Sequence, residues 1–351
     1  MTGIQTRIVE NGDAELIMLW DKKVKEKSLP PQACYQWKTI IEDIFKAKAY
    51  AFLAMDENGK TVGFALVFFK AGEEILYSCR YGFYADNQDV SLALQGEVQK
   101  LAYQYGIHKT VMTSGNHEFD LSEQQENKES LYLPLTYQDE EALWLSLPKK
   151  TKNMIRKAEK TGITVLHDWD KLDQFYDIYT ERFTEKSLGI KPFGLFQSIR
   201  DLFGEDAVLM CAVQDNQLAA GMIFISAGDT VSYGYNASNL DASNSGANNL
   251  LMWEAMRYFH GKGAKYIDLS ESKPDSPVYK FKMRLSKDIE ARAIYYYDFM
   301  DGVQEMKEKP MSVSLFVKYK IRGLLQRLMP VMPHGLKKKY LQYLGMGGRL
   351  I

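Results

Sequence analysis

The sequence has few of the residues that build a disulfide framework or a metal site. Its 351 residues include five scattered histidines and only three cysteines, Cys34, Cys79 and Cys211. An odd number of widely spaced cysteines is typical of a reducing compartment. The sequence also contains no Walker loop, no HExxH motif, no paired CxxC motifs and no G-x-S-x-G nucleophile elbow. We therefore expect no metal, no cofactor and no covalent intermediate on the protein.

Long apolar runs are also missing. The longest extends from Val62 to Phe69 and suits a buried strand, whereas a bilayer-spanning helix needs about 18–20 apolar residues. The first residues, MTGIQTRIVENGDAEL, contain no apolar stretch of the secretory type. These features predict a cytoplasmic protein.

The composition is that of a folded globular protein. Of the residues, 46% are apolar, 25% charged and 13% aromatic, which excludes a disordered chain. A chain of this length exceeds the range in which a single core keeps growing, so two domains are expected.

The charge is distributed unevenly along the chain. The net charge is −1, yet nine of the 44 Lys and Arg residues and none of the 45 Asp and Glu residues lie between Lys309 and Ile351. The rest of the chain therefore holds 35 basic and 45 acidic residues, a balance of −10. A basic tail on an acidic body favours a polyanionic partner, such as anionic lipid, tRNA or a phosphorylated precursor.

The basic tail also contains apolar residues at helical spacing. It includes Leu315, Ile321, Leu324, Leu325 and Leu328. One interpretation is an interfacial helix on anionic lipid at the inner face of the membrane. The alternative is that Leu324, Leu325 and Leu328 pack on the protein body.

Two segments repeat the same order of predicted elements. In the first, strands at 49–56, 61–70 and 75–81 precede a helix at 90–105 and a strand at 108–113. In the second, strands at 208–213, 218–226 and 230–236 precede a helix at 248–260 and a strand at 265–269. An offset of 158 residues pairs Gly63 with Gly221. We interpret this as two copies of one α/β unit, with domains at 1–147 and 148–305 and the tail at 306–351.

A basic segment, LPKKTKNMIRKAEKTG, extends from Leu147 to Gly162. Thr151 can cap a helix there, and Gly162 stands where a helix ends. The segment holds six basic residues and one Glu. It could be a solvated helix, but lysines at a helix N-terminus also suit an anion-binding site.

A second basic segment, VYKFKMRLS, extends from Val278 to Ser286. Apolar residues alternate with Lys280, Lys282 and Arg284, which predicts a strand with three cations on one face. An exposed lysine-rich edge strand and a short helix are the alternatives.

A loop rich in small residues lies between Tyr233 and Asn249, before a predicted helix. Such a loop can hold a phosphate or carboxylate. It matches the pyrophosphate loop of CoA-dependent enzymes poorly, because Ser243 and Asn248 occupy the positions of Gln/Arg and Gly/Ala. This mismatch disfavours acetyl-CoA as the donor.

These segments together resemble the Fem family (FemABX) of peptidoglycan aminoacyltransferases. Tyr77 to Asp86 is similar to the motif Y-x-x-R-G-P-x-x-D, although Tyr81-Gly82-Phe83 follows Arg80. Ile155-Arg156-Lys157-Ala158 matches the basic I-R-K-A helix, Tyr266-Ile267-Asp268-Leu269 fits a strand of the second domain, and Tyr279-Lys280-Phe281-Lys282 resembles the Y-x-F-K element. The resemblance spans roughly residues 30–300.

The resemblance implies an α/β fold of two tandem GNAT-like domains, each a mixed sheet flanked by helices. It implies an aminoacyl-tRNA donor and a muropeptide-lipid acceptor at the membrane face. Carried over, Lys282 would stabilise charge on the transferred acyl group, and Arg156 would hold an acceptor phosphate. The substrate-binding residues expected are Arg80, Lys149, Lys152, Arg156, Tyr235, Asn236, Ser270, Lys280 and Arg284.

Proton removal has several candidate routes. Asp268 and Glu271 are near these cations in sequence, and either could be the base or a structural carboxylate. The reaction could also proceed without a protein base, because an ester donor is already activated.

Two other functions stay open. One is an acyl-CoA-dependent N-acyltransferase of the same fold acting on a polysaccharide or lipid precursor. The other is a non-catalytic protein that binds anionic glycolipid or RNA.

Overall fold

The computed structural model describes residues 3–114, 129–239, 245–300, 321 and 324–346. The strands are β1 (Gln5–Ile8), β2 (Lys48–Met55), β3 (Thr61–Phe69), β4 (Ile75–Ala85), β5 (Lys109–Ser114), β6 (Glu129–Pro134), β7 (Thr164–His167), β8 (Ala207–Gln214), β9 (Gln217–Ala227), β10 (Thr230–Ser238), β11 (Tyr266–Ser272), β12 (Glu290–Ala293) and β13 (Tyr295–Tyr297). The α-helices are α1 (Ala14–Glu26), α2 (Gln36–Asp43), α3 (Gln88–Tyr105), α4 (Glu140–Ser146), α5 (Lys149–Lys160), α6 (Leu172–Glu185), α7 (Phe193–Phe203), α8 (Ala247–Gly261), α9 (Pro277–Lys282) and α10 (His334–Gly345). Short 3-10 helices occur at Pro31–Ala33, Trp169–Lys171, Gly204–Asp206 and Met329–Val331.

The first sheet has the strand order β1-β2-β3-β4-β5-β13. Its pairs are antiparallel except β4 with β5, which are parallel and connected through α3. Helix α3 begins where the Asn87 side chain accepts a hydrogen bond from the Val90 amide, and it ends at Gly106, whose φ is +65°. Its apolar side, with Leu94 and Val98, is buried against one face of the sheet.

The second sheet has the order β12-β6-β11-β10-β9-β8-β7. Only β10 and β11 pair in parallel, and α8 connects them. The repeated order predicted from the sequence is therefore confirmed, since both sheets contain three antiparallel strands, a helix and a fourth strand parallel to the third. Each sheet is mixed and flanked by helices, as predicted.

The two sheets exchange strands. Strand β6 precedes most of the second half of the chain but pairs with β11 and β12, while β13 returns to pair with β5. Sheet membership thus does not follow the predicted division at residue 147. The alternating pattern before residue 147 predicts an extended segment. It does not predict which strand that segment pairs with.

A continuous apolar core lies between the sheets. It joins Trp20 and Phe64 of the first half to Phe175, Phe196 and Ile223 of the second. At its polar edge, the Gln32 amide donates a hydrogen bond to the Ser232 hydroxyl, and both side chains are buried. The two halves therefore share one interior and also meet through polar contacts.

The C-terminal helix α10 packs on the second half. Tyr340 and Leu341 are buried, and the Ile190 amide donates to the Leu341 carbonyl. By contrast, Leu324 is 58% and Leu328 43% exposed, so these two leucines do not pack on the body in the way that one interpretation expected. Leu315 lies outside the described residues. Within the described part of the chain, no helix combines the length and the apolarity that a bilayer span requires.

Candidate active site

A gap opens between the two parallel strands at the centre of the second sheet. Strands β10 and β11 pair from Thr230 with Tyr266 to Ser232 with Asp268. Beyond that point β10 continues along β9, and β11 continues along β6 after a register shift between Asp268 and Glu271. The separation leaves strand edges between which an extended ligand can be held.

Arg80 of β4 reaches across to this gap from the first sheet. Its Nη1 atom lies 3.0 Å from Asp268 Oδ2 and 3.0 Å from the Ser270 hydroxyl oxygen. Its Nη2 atom donates to the Ser130 hydroxyl and lies 3.2 Å from Asp268 Oδ1. Arg80 is 8% exposed and Asp268 is fully buried. A buried ion pair of this kind persists only when additional hydrogen bonds satisfy both groups.

The electrostatics of the pair favour the charged form of the arginine. Burial, the largest single influence, lowers the pKa of Arg80, but Asp268 together with Tyr81, Tyr132 and Glu271 outweighs it, so the pKa is raised overall. Asp268 is held by further donors: the Ser130 hydroxyl at 2.6 Å and the Ser270 amide at 2.9 Å. These donors and Arg80 Nη2 share Asp268 Oδ1, while Oδ2 faces Arg80 Nη1 at ion-pair distance. Because Asp268 is fully buried beside this cation, it is better placed to position its neighbours than to accept a proton.

Strands β4 and β11 each carry a residue with a left-handed backbone at this site. Tyr81, next to Arg80, has φ +59°, and Ser270 has φ +71°. This conformation costs a residue with a Cβ roughly 1–2 kcal/mol. Strain of this kind at the centre of a sheet is typical of functional sites and indicates that the surroundings fix the backbone here.

Lys282 completes the group at the end of α9. Its Nζ atom donates to the Ser270 carbonyl at 3.2 Å, the Glu271 carbonyl at 3.3 Å and the Ser272 hydroxyl at 2.9 Å. Burial lowers the pKa of Lys282 to about 8, against the opposing effect of Asp268. Its ammonium is thus fixed on β11 beside the gap.

The segment that carries Lys282 is the short helix given as an alternative, so that alternative is confirmed and the strand interpretation is wrong. Ser276 caps helix α9 by accepting a hydrogen bond from the Tyr279 amide, and Pro277 occupies the first turn. Because both residues promote a helix start, they override an alternation that spans only a few positions. As a result Lys282 is buried, whereas the Lys280 side chain is 58% exposed and lies 4.0 Å from the Asp275 carboxylate.

Glu271 is the more accessible of the two predicted carboxylates. Its side chain is 21% exposed, and one carboxylate oxygen lies 3.7 Å from Arg80 Nε. The structure therefore brings five predicted residues, from separate segments, into one group. We refer to Arg80, Ser130, Asp268, Ser270, Glu271 and Lys282 as the Arg80 cluster.

The basic helix α5 has different neighbours. The Arg156 guanidinium and the Lys152 ammonium lie over the Trp144 ring, at 5.5 and 5.7 Å from its centroid. Arg156 lines an open cavity of about 400 Å³ with Trp144, Trp253, Glu140, Glu141 and Glu159. Three carboxylates around Arg156 are unfavourable for a phosphate. Lys149, in the first turn, is exposed.

Thr151 does not cap α5 as predicted. Pro148 holds the cap position, and the Thr151 hydroxyl donates to the Arg284 carbonyl at 2.8 Å. The contact fixes the start of α5 against the segment that follows Lys282. The Arg284 side chain itself is exposed.

The two residues predicted on β10 differ in their surroundings. Tyr235 packs edge-on against Phe196 with ring centroids 5.1 Å apart, and burial raises its pKa. Asn236 is exposed. Residues 240–244 of the small-residue loop lie outside the described part of the chain.

Sequence reasoning missed Ser130, Tyr81 and Tyr132. The Tyr81 hydroxyl lies 3.3 Å from Arg80 Nη2 and accepts from the Tyr132 hydroxyl at 3.2 Å. Burial raises the pKa of both tyrosines. Ser130 and Tyr132 lie on β6, and no local pattern shows that this strand joins the second sheet.

The family comparison identifies the fold around this group. Residues 146–283 match the family model described as an acetyltransferase (GNAT) domain. The match includes β10, β11 and α9. The chain has a tandem GNAT fold. This fold and the resemblance to Fem-like proteins, both predicted from the sequence, are confirmed.

Solved structures agree over most of the chain. FemX aligns with a TM-score of 0.64 at 14% identity, covering 86% of this chain and 100% of FemX. A tandem GNAT protein from the clavulanic acid biosynthesis pathway aligns at 0.53 and 12%, covering 84% of this chain and 98% of that one. The C-terminal domain of a putative lysylphosphatidylglycerol synthetase from Agrobacterium fabrum aligns at 0.52 and 10%, covering 83% and 92%. No curated protein sequence matches the chain.

Proposed function

We propose that this protein is an acyltransferase that moves an aminoacyl group from aminoacyl-tRNA to an amine of a cell-envelope precursor, a peptidoglycan stem peptide in the first instance. The observation that carries the proposal is the Arg80 cluster beside the gap between β10 and β11, where Lys282 and Glu271 converge. The GNAT-domain match across these elements supports acyl transfer, and the likeness to FemX supports the choice of substrates.

The proposed reaction is an aminolysis of an ester. The acceptor nitrogen attacks the carbonyl carbon, a C–N bond forms, and the bond from that carbon to the ribose oxygen of the tRNA breaks. The amine proton ends on the leaving oxygen. The attack passes through a tetrahedral oxyanion, for which one fixed donor is worth about 3–4 kcal/mol.

Lys282 is the cation proposed for this oxyanion. Its three protons point at the Ser270 and Glu271 carbonyls and the Ser272 hydroxyl. A hydroxyl can rotate, whereas strand carbonyls are fixed. We therefore expect Lys282 to release Ser272 and turn that proton towards the substrate oxygen.

Glu271 is the proposed proton acceptor. It is partly exposed, whereas Asp268 is fully buried and held by Arg80, Ser130 and Ser270. A base must reach the incoming amine, and only a carboxylate open to the gap can do so.

Donor discrimination tests the proposal. The purified protein is mixed with a pool of charged tRNAs or with short and long acyl-CoAs, together with a muropeptide precursor, and donor consumption is followed by mass spectrometry. Lys282→Met is the matched inactive control. Consumption of one charged tRNA by the wild-type protein, lost in Lys282→Met, supports the proposal. Turnover of an acyl-CoA alone contradicts the tRNA donor and supports an acyl-CoA-dependent N-acyltransferase instead, a possibility that the GNAT match favours.

Binding without turnover would point to a third function. If Lys282→Met bound charged tRNA or an anionic glycolipid as well as the wild type, and neither protein transferred an acyl group to any acceptor, the protein would be a binding protein. No cofactor takes part in the proposed reaction, because the ester supplies the activation.

The tail supports peripheral contact with an anionic membrane as part of this proposal. Helix α10 is anchored by its buried Tyr340 and Leu341, yet Leu336 is 57% and Tyr343 68% exposed. Lys337, Lys338 and Lys339 interrupt these apolar residues, and no acidic residue occurs from Lys309 onward. Exposed apolar side chains among basic ones fit a surface of anionic lipid.

A further inference from the structure

Arg80 is a residue of the first sheet, yet its side chain contacts β11 in the second sheet. The Arg80 guanidinium binds three groups of the second sheet, namely Ser130, Asp268 and Ser270. These contacts, which all lie beside the gap, converge on one guanidinium from the first sheet. A residue so placed can fix the geometry of a strand to which it does not belong.

A continuous set of contacts leads from Arg80 to Lys282. Arg80 pairs with the Asp268 carboxylate, and Asp268 Oδ1 accepts the Ser270 amide at 2.9 Å. That bond closes a turn in which Ser270 is left-handed. The carbonyl of the same Ser270 then accepts a hydrogen bond from Lys282 Nζ at 3.2 Å.

We propose that Arg80 is a positioning residue, which holds the left-handed turn of β11 through Asp268 and thereby fixes Lys282 beside the gap. The inference rests on the proposed function for its catalytic consequence, but its structural part can be measured without any substrate. Loss of Arg80 leaves the buried Asp268 carboxylate without its cation, although the Ser130 hydroxyl and the Ser270 amide still donate to it. We expect the turn at Ser270 to loosen and its carbonyl to lose its fixed position beside Lys282.

The charged groups that face Lys282 allow a test in which two variants are expected to shift the pKa of Lys282 in opposite directions. These groups are Asp268 and Glu271 on β11 and Arg80 on β4: the carboxylates raise the pKa of Lys282 and the guanidinium lowers it. Arg80→Met therefore shifts the titration midpoint of Lys282 upward, and Asp268→Asn shifts it downward. General loosening of the fold would expose Lys282 in both variants and move both midpoints upward.

The experiment is an NMR titration of the lysine ε-methylene groups in the full chain, with the Lys282 signal assigned by its loss in Lys282→Met. Lys23→Met is the matched control, because it breaks another ion pair of a buried lysine, Lys23 with the partly exposed Asp86, whose atoms are 2.8 Å apart. We expect opposite shifts in Arg80→Met and Asp268→Asn, and no shift in the control. Unchanged midpoints, or shifts in the same direction, would overturn the proposal.

Two further variants keep the test decisive. If Arg80→Met does not fold, the double variant Arg80→Met/Asp268→Asn removes both charges, and a midpoint below that of the wild type is expected because Asp268 is the stronger of the two influences. Arg80→Lys keeps the charge but not the several donors, so we expect at least a tenfold fall in kcat with KM nearly unchanged. Opposite NMR shifts without transfer to any acceptor would retain the positioning role and reject the proposed function.

Discussion

Arg80 and Asp268, which are 188 residues apart in the chain, form a buried ion pair with an N–O distance of 3.0 Å that joins the two sheets. The pair is compensated by the Ser130 and Ser270 hydroxyls on the arginine and by the Ser270 amide on the carboxylate. It is therefore a buried polar link between the sheets, in addition to the apolar core and the Gln32–Ser232 hydrogen bond.

Breaking this pair on one side is expected to destabilise the protein strongly. Arg80→Met leaves a buried carboxylate without its cation, which typically costs about 3–5 kcal/mol. The free energy of unfolding in urea measures the effect. Arg257→Met removes the exposed contact to Glu140, whose atoms are 2.7 Å apart, and should cost about 0–1 kcal/mol. Equal losses in the two variants would show that Arg80 is not buried as described.

The left-handed backbone at Ser270 predicts a difference between two small substitutions. Both Ser270→Gly and Ser270→Ala remove the hydroxyl that accepts from Arg80, but only glycine adopts φ +71° without strain. We expect the free energy of unfolding in urea to be about 1 kcal/mol higher for Ser270→Gly than for Ser270→Ala. If the alanine variant is the more stable, the backbone at Ser270 is not left-handed in solution.

The titration of Lys282 predicts how transfer depends on pH. Its pKa is lowered to about 8, so transfer that needs the ammonium falls as pH rises through about 8. Lys282→Arg keeps a cation at higher pH, and its remaining activity should lose that alkaline limb. A wild-type rate that instead rises through pH 8 would identify the neutral amine as the active form.

The same shift affects stability. The pKa of Lys282 is about 8 in the folded protein and 10.5 in its unperturbed state. Between these values the unfolded chain binds more protons, so the contribution of Lys282 to stability increases with pH in that window. Lys282→Met should remove this part of the pH dependence, measured as the difference in unfolding free energy between pH 8 and pH 10.

Gly246 is expected to tolerate no side chain. A Cβ there would overlap the Met154 carbonyl oxygen of α5, and φ is +92°. Gly246→Ala should therefore cost about 1–3 kcal/mol and separate α8 from α5. Gly261, at the other end of α8, has no neighbour within 4 Å of its Cβ position, so Gly261→Ala should be neutral or slightly stabilising. Thermal unfolding of both variants compares the two ends of one helix.

Lipid binding by the tail should depend on its charges. Replacing Lys337, Lys338 and Lys339 by Gln is expected to weaken co-sedimentation with phosphatidylglycerol vesicles on the order of 100-fold, at about 1 kcal/mol per charge. The control replaces Lys22, Lys60 and Lys100, which are exposed elsewhere. Equal binding by both triple variants would contradict a specific role for the tail.

Much of the fold could be predicted because the information is local. Apolar runs, turns such as Asn58-Gly59 and the apolar side of α3 define most strands and helices and their repeated order. The sequence leaves α9 open between a strand and a short helix because its six residues are too few for periodicity to distinguish the two. There the cap residue Ser276 was the better signal.

The candidate site could be predicted only in part. The resemblance to Fem proteins indicates Arg80, Asp268 and Lys282 one by one, but no pattern predicts that the first two form an ion pair across the sheets. Ser130 was missed because its role depends on β6 joining β11, a pairing between residues more than a hundred positions apart. Arg156 is in the predicted helix, but two of its three acidic neighbours, Glu140 and Glu141, come from α4.

The strand exchange also constrains the order in which the protein can form. The first sheet lacks its last strand until residues 295–297 are available, and β6 has no partner until β11 has been made. During synthesis, the edge of the first sheet at β5 stays unpaired while the ribosome produces more than half of the sequence. The two halves therefore mature together and not in succession, and neither can be obtained intact by cutting the gene at a single position.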